Sequence, residues 1–241
     1  LVVVADGEVI VSAIDLLIGD NLDFSGADSG VTITDISDAA TALTITMGDG
    51  NDSVTMTKNQ AAETVTVDLG AGNDTFVSTD EADTITTGTG LDTVTLQGNA
   101  TDDDNIITDF TAGAGGDVLV FVATGVIDTG DAGEVTVTAL GTVAAATTGL
   151  VNGINIINTV FTAAHTEANL VIELAAETIV SFADGEDQFI VIDNGTDTGV
   201  YLFNEGGGTA AFVAGELTLI ATLQGVDDAT TLVAANFADF L

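Results

Sequence analysis

The sequence predicts an all-β fold, with a parallel β-roll (β-solenoid) segment flanked by sandwich-like β-strand regions. Three observations predict it. The polar residues are mostly Thr, Asp, Asn and Gly and the apolar ones lean to Val and Ile, which is strand-and-turn chemistry. A Gly- and Asp-bearing pattern recurs in the first half on a nine-residue beat. Short alternating apolar runs bounded by acidic turns continue to the end of the chain.

Charge sets the second constraint. The 241 residues include 38 acids against one base, Lys58, for a formal charge of -37. Yet 46% of the chain is hydrophobic, which separates it from a solvated, disordered acid. A chain that folds while so negative must take positive charge from its surroundings. A hard divalent cation with a preference for oxygen ligands suits that need. Nucleic acid does not, because affinity there comes from Lys and Arg meeting phosphate. Anionic lipid is disfavoured for the same reason, and no apolar stretch approaches the roughly 18 residues a membrane helix needs. Cysteine is absent, so metal, burial or assembly must do the work disulfides do elsewhere.

Taken in order, residues 1–45 read as an N-terminal β region with strands near Glu8–Ile14, Val31–Ile36 and Ala42–Met47. Its start lacks both Met and the basic stretch of a signal peptide, which predicts the processed end of a longer chain. Residues 46–122 hold the repeats and a closing segment. Residues 123–241 form a C-terminal β region, with strands at Val135–Leu140, Ile154–Ile157, Asp197–Phe203 and Leu217–Leu223. The Ala and Glu of Phe161–Ala168 predict a short helix, and a helical turn is expected near Asp228–Leu232.

Three segments align as x-G-x-G-x-D-[ST]-apolar. They are Met47-Gly48-Asp49-Gly50-Asn51-Asp52-Ser53-Val54, Leu69-Gly70-Ala71-Gly72-Asn73-Asp74-Thr75-Phe76 and Thr87-Gly88-Thr89-Gly90-Leu91-Asp92-Thr93-Val94. Asp83-Thr84-Ile85 repeats the last part without glycines, so Asp74, Asp83 and Asp92 are spaced by nine and nine. Two nine-residue half-turns make one coil of a β-roll. That places Asp74 above Asp92 on one side and Asp83 opposite. Glycines allow tight turns whose carbonyls converge, and the Asp adds a carboxylate, which together suit Ca²⁺ with its six to eight oxygens. The candidate ligands are Met47, Asp49, Gly50, Asp52, Leu69, Gly70, Gly72, Asp74, Asp83, Gly88, Gly90, Asp92, Asp109 and Asp117. The Asp52-to-Asp74 interval is 22, so four extra residues are expected to break the beat. A single copy of D-T-V or G-x-G would read as an ordinary hairpin turn; the alignment of three copies is what favours calcium.

These turns resemble the glycine- and aspartate-rich nonapeptide (repeats-in-toxin, RTX) family, although Met47, Leu69 and Thr87 stand where the family pattern has its first Gly. Asp104–Phe121 is similar to the segment that commonly closes such arrays, and 177–192 is a weaker copy. The end, Asp239-Phe240-Leu241, resembles the uncleaved C-terminal signals of one-step (type I) secretion. Within the family, the chain is closest in character to calcium-dependent bacterial surface-layer proteins. The resemblance implies a secreted, extracellular, calcium-binding structural protein that self-assembles into a surface layer, filament or matrix. The expected partners are calcium ions, further copies of the chain and a possible cell-surface polysaccharide. The alternative it implies is the C-terminal calcium and secretion module of a larger adhesin, toxin or exoenzyme.

Enzyme chemistry has little to stand on. The lone histidine, His165, has no second His or Cys to join it, and none of the seven serines lies in a nucleophile elbow. Eleven Phe, one Tyr and no Trp are a poor supply for stacking on sugars. The expectation is a non-enzyme.

Overall fold

The computed structural model describes residues 9–11, 14–16, 21–38, 42–56, 64–97, 104–121, 137–140, 154–157, 161–176, 188–203 and 215–238. In chain order the first strands are β1 (Val9–Val11), β2 (Ile14–Leu16), β3 (Asn21–Asp23), β4 (Val31–Asp38), β5 (Ala42–Thr46) and β6 (Ser53–Met56). Next come β7 (Thr64–Asp68), β8 (Thr75–Val77), β9 (Thr84–Thr86), β10 (Thr93–Leu96), β11 (Asn105–Ile107) and β12 (Val118–Phe121). The C-terminal part holds β13 (Val137–Leu140), β14 (Ile154–Ile157), helix α1 (Glu167–Ala176), β15 (Gln188–Asp193), β16 (Asp197–Phe203), β17 (Leu217–Gln224) and β18 (Phe237–Ala238).

Alternation of side chains makes these strands walls of a roll. Leu43 and Ile45 on β5, Val65 and Val67 on β7 and Ile85 on β9 turn inward, while the threonines between them face out. They meet Val54, Met56, Phe76, Val94 and Leu96 from the facing wall in one continuous core. One wall is a sheet in the order β1-β4-β6-β8-β10-β12-β18, with β2 also on β4 and every pairing parallel. The other wall runs β13-β14-β15-β16-β17-β11-β9-β7-β5-β3. The chain crosses between walls at each glycine turn and returns on the opposite edge. The fold is a parallel β-solenoid with flanking strands, as the sequence predicts.

The expected break in the beat does not occur. Ser53, Thr75 and Thr93 stand in register across β6, β8 and β10 although the coils differ in length. The four extra residues enter between Ser53 and Thr66, on the edge away from the glycine turns, where a longer return leaves the stack undisturbed.

The sheets run through both expected region boundaries. Strands β3 and β4, from the N-terminal region, are rungs of the same two walls, and β17 and β18 extend the walls beyond β11 and β12. On β14–β17 one face joins the roll core. The other packs Ile157, Ile190, Ile192, Tyr201, Phe203, Leu217 and Leu219 against Leu170 and Leu174 of α1.

The helix begins later than Phe161–Ala168. Phe161 is a fully buried anchor, and the backbone becomes helical only after Thr166, whose hydroxyl accepts from Asn169 N at 3.2 Å as an N-cap does. The helical turn expected near Asp228–Leu232 is a 3-10 turn at Ala229–Thr231, with Asp228 accepting from Thr230 N. Residues 204–214, most of the 177–192 segment and the last three residues lie outside the described residues. Among the described residues no helix is long and apolar enough to cross a membrane.

Candidate metal centre

The glycine turns stack as tightly as the strands. Asp49, Ala71 and Thr89 form parallel bridges one above the next. Ala71 N donates to Gly48 O and Thr89 N to Gly70 O, each at 3.0 Å; Gly50 N donates to Ala71 O and Gly72 N to Thr89 O. At Gly72 (φ 148°) a Cβ would collide with Gly50 O, and at Gly90 (φ 147°) with Gly72 O. Only glycine lets one coil's backbone rest on the carbonyl of the last. Gly70 and Gly88 meet Gly48 O and Gly70 O in the same way. The spacing of the glycines is therefore already required by stacking, before any ion is considered.

The aspartates make a second column directly inside the turns. Val31 N donates to Asp52 Oδ1 at 2.6 Å, Asp52 N to Asp74 Oδ1 at 2.7 Å, Asp74 N to Asp92 Oδ1 at 2.8 Å and Asp92 N to Asp117 Oδ1 at 3.0 Å. Their residues are between 0% and 2% exposed. Each Oδ1 is thus bonded to the coil below. The other oxygens differ. Oδ2 of Asp52, Asp74 and Asp92 is buried and makes no hydrogen bond of good geometry, although the Gly48 N–H lies close enough to Asp52 to favour its charged form. Oδ2 of Asp117 accepts from Thr111 N at 2.8 Å and Thr87 Oγ1 at 3.2 Å. Above it, Asn236 donates to Asp117 O and Gly113 O and accepts from Gly113 N and Val233 N, closing the column with a neutral side chain.

Burial pushes these carboxyls up. Asp52 and Asp92 rise to about 6 and Asp74 to about 7, burial being the largest cause. The backbone donors oppose the rise, while Asp52 and Asp92 both add repulsion at Asp74. Asp117 is raised for the same first reason. Such a column is costly when charged and uncompensated, because buried carboxylate oxygens without donors retain their full desolvation cost.

The other expected ligands fall into place around it. Met47 and Leu69 are buried in the core and offer only backbone to the turn. Asp49 is exposed at the turn surface. Asp109 accepts from Thr87 N, Thr87 Oγ1 and Gly88 N, so it braces the last turn. Asp83 lies on the opposite edge, as the nine-residue spacing predicts. Both its oxygens are bonded, by Val65 N, Thr79 N and Thr79 Oγ1, and its own N–H donates to Asn105. Burial lifts Asp83 to about 6, but it leaves no oxygen open. Sequence reasoning passed over an outer ladder in which Asn51 Oδ1 accepts from Asn73 N and Asn73 Oδ1 from Leu91 N. The repeated Asn-Asp pair was its signal.

The column offers carboxylate oxygens at regular intervals inside the glycine turns, the type of oxygen that a hard cation takes. Among the described residues no three His, Cys, Asp or Glu side chains group as a metal cluster. His165 is occupied elsewhere, between Tyr201 Oη at 3.1 Å and Asp197 O at 3.0 Å, with its ring against Phe161. Compared with known proteins, the chain matches no family model, no curated protein and no solved structure.

Proposed function

We propose that the chain is a secreted calcium-binding structural protein that assembles outside the cell into a layer, filament or matrix. The observation that carries this reading is the column of buried, unpartnered Oδ2 atoms on Asp52, Asp74 and Asp92, set against the glycine turns. A native protein retains such atoms where something outside the chain satisfies them. Their sign, hardness and repetition favour Ca²⁺ over any organic ligand, and the turns resemble RTX-type repeats.

Bound calcium would supply positive charge to three carboxylates that otherwise repel one another. Asp52, Asp74 and Asp92, on rungs about 4.8 Å apart, would hold separate ions or share one only between neighbours, with backbone carbonyls of the glycine turns. The protein's own part is to fix each carboxylate through its Oδ1 and to keep water from the stack. Because the ligands come together only in the stacked coils, binding favours the folded state by mass action. A calcium-poor interior and a calcium-rich exterior would then couple folding to export. At -37, two copies repel until divalent cations screen or bridge them, which makes assembly calcium-dependent as well.

Thermal unfolding followed by circular dichroism, with and without chelator, tests the reading. Millimolar calcium should raise the midpoint and magnesium should do so far less. An unchanged midpoint at saturating calcium would sink it.

A further inference from the structure

The aspartate column ends differently from how it runs. On the earlier rungs the backbone carbonyl of each aspartate accepts from the backbone of the next rung. Thr75 N donates to Asp52 O, Thr93 N to Asp74 O and Val118 N to Asp92 O, each at 2.8 Å. At Asp117 a side chain takes that place, with Asn236 Nδ2 donating to Asp117 O at 2.8 Å. The same amide pins the tip of the 111–117 loop at both of its backbone atoms. Nδ2 also donates to Gly113 O at 3.1 Å, and Oδ1 accepts from Gly113 N at 2.9 Å and from Val233 N at 3.0 Å. Asn236 is 0% exposed, and two bonds at each end of its amide suit a group with two N–H donors and a two-lone-pair oxygen. Neither Asp nor Leu reproduces that set.

The loop that Asn236 holds carries the next link. Thr111 N donates to Asp117 Oδ2 and Asp117 N to Thr111 O, each at 2.8 Å, so the loop closes on the Asp117 carboxylate. Oδ1 of that carboxylate receives Asp92 N at 3.0 Å, and Asp92 carries one of the open Oδ2 atoms of the column. We propose that Asn236 is a positioning residue for the cation column, coupling the docking of the C-terminal segment to cation binding at Asp92. This rests on the calcium reading above and names the residue through which the two events are linked. Without the amide, Gly113 and the Asp117 carbonyl lose their partner, and the Asp117 carboxylate loses the held loop that aims it at Asp92. Coupling of this kind is reciprocal: what cation binding gains from a docked segment, docking gains from the cation. A neutral amide does this where a further aspartate would add charge to a column whose members already repel one another.

Amide exchange with and without calcium tests the coupling in the unaltered chain. Calcium should slow exchange at Gly113 and Val233 at least about fivefold more than at Gly225, whose N–H is bonded to Asp197 on an exposed turn. Asn236→Leu, which keeps the bulk and removes the four bonds, should speed exchange at Asp92 in chelator and weaken calcium binding by about fivefold or more. A variant that unfolds at lower urea yet binds calcium with the parent's affinity would reduce Asn236 to a structural cap and overturn the proposal. Equal calcium effects at Gly113 and Gly225 would overturn it too, and they decide the matter if Asn236→Leu does not fold. A parent chain that binds calcium without these differences refutes the coupling alone. One that binds no calcium refutes the calcium reading, and exchange at Asp92 in Asn236→Leu then shows separately whether the clamp reaches the column.

Discussion

At Asp74 the two carboxylate oxygens have opposite situations. Oδ1 accepts from Asp52 N at 2.7 Å, while Oδ2 is buried and unpartnered. Asp74→Asn keeps the first bond, removes a buried anion and leaves the shape nearly unchanged. At pH 8 without calcium the variant should therefore be more stable than the parent, because it removes the repulsion from Asp52 and Asp92, although its Nδ2 is as buried and unpartnered as Oδ2 was. With saturating calcium the order should reverse, because an amide supplies no anionic oxygen to the ion. Urea unfolding in chelator and in calcium measures both arms. A variant destabilised equally in the two conditions would assign Asp74 a structural role only. The glycines give a different result. Gly90→Ala forces a Cβ onto Gly72 O at a φ of 147°, so it should cost at least about 1–3 kcal/mol whether or not calcium is present. The same urea titrations would show it.

At the scale of the element, burial raises the aspartates of the column into one pH interval. The folded-state values of about 6, 7 and 6 for Asp52, Asp74 and Asp92 lie above the ordinary carboxylate value of 3.8. The folded column therefore binds protons more readily than the unfolded chain across that interval, and stability rises as pH falls from about 7 toward 4. In chelator, the thermal midpoint should be higher at pH 5 than at pH 8; a flat or opposite profile would contradict the buried placement. Calcium should remove the trend, since it needs the carboxylates charged. Much of this element was legible in advance. The x-G-x-G-x-D turns and the nine-residue spacing place Asp74 over Asp92 and Asp83 across the roll, because stacked coils turn sequence period into vertical alignment. The interval of 22 misled, since sequence alone does not say on which edge a longer return emerges. Asn236 and Thr87 could not be read either, since they reach Asp117 from distant parts of the chain. The helix start was missed because Phe161 and Ala163 have helical company in sequence but are held by the core before Thr166 caps the turn.

For the whole molecule, the deciding feature is how the roll ends. Strand β17 pairs with β11 and β18 with β12, so the last rung comes from residues more than a hundred positions away, as in Ile107 beside Leu223 and Leu119 beside Phe237. The same strands cover Ile107, Phe110, Leu119 and Phe121 within the shared core. Parallel edges left bare expose unpaired backbone donors and acceptors, which invite aggregation. Solenoids rely on a capping unit at such ends for the same reason. A chain cut after residue 122 should thus fail to give a soluble, cooperatively unfolding roll even in saturating calcium, although it retains every glycine turn and Asp52, Asp74, Asp92 and Asp117. Adding residues 123–241 as a separate polypeptide should restore β circular dichroism if the pairing forms in trans. A truncated chain that unfolds cooperatively at the parent midpoint in calcium would show that the ions alone hold the coils together and that the C-terminal strands are dispensable to the roll.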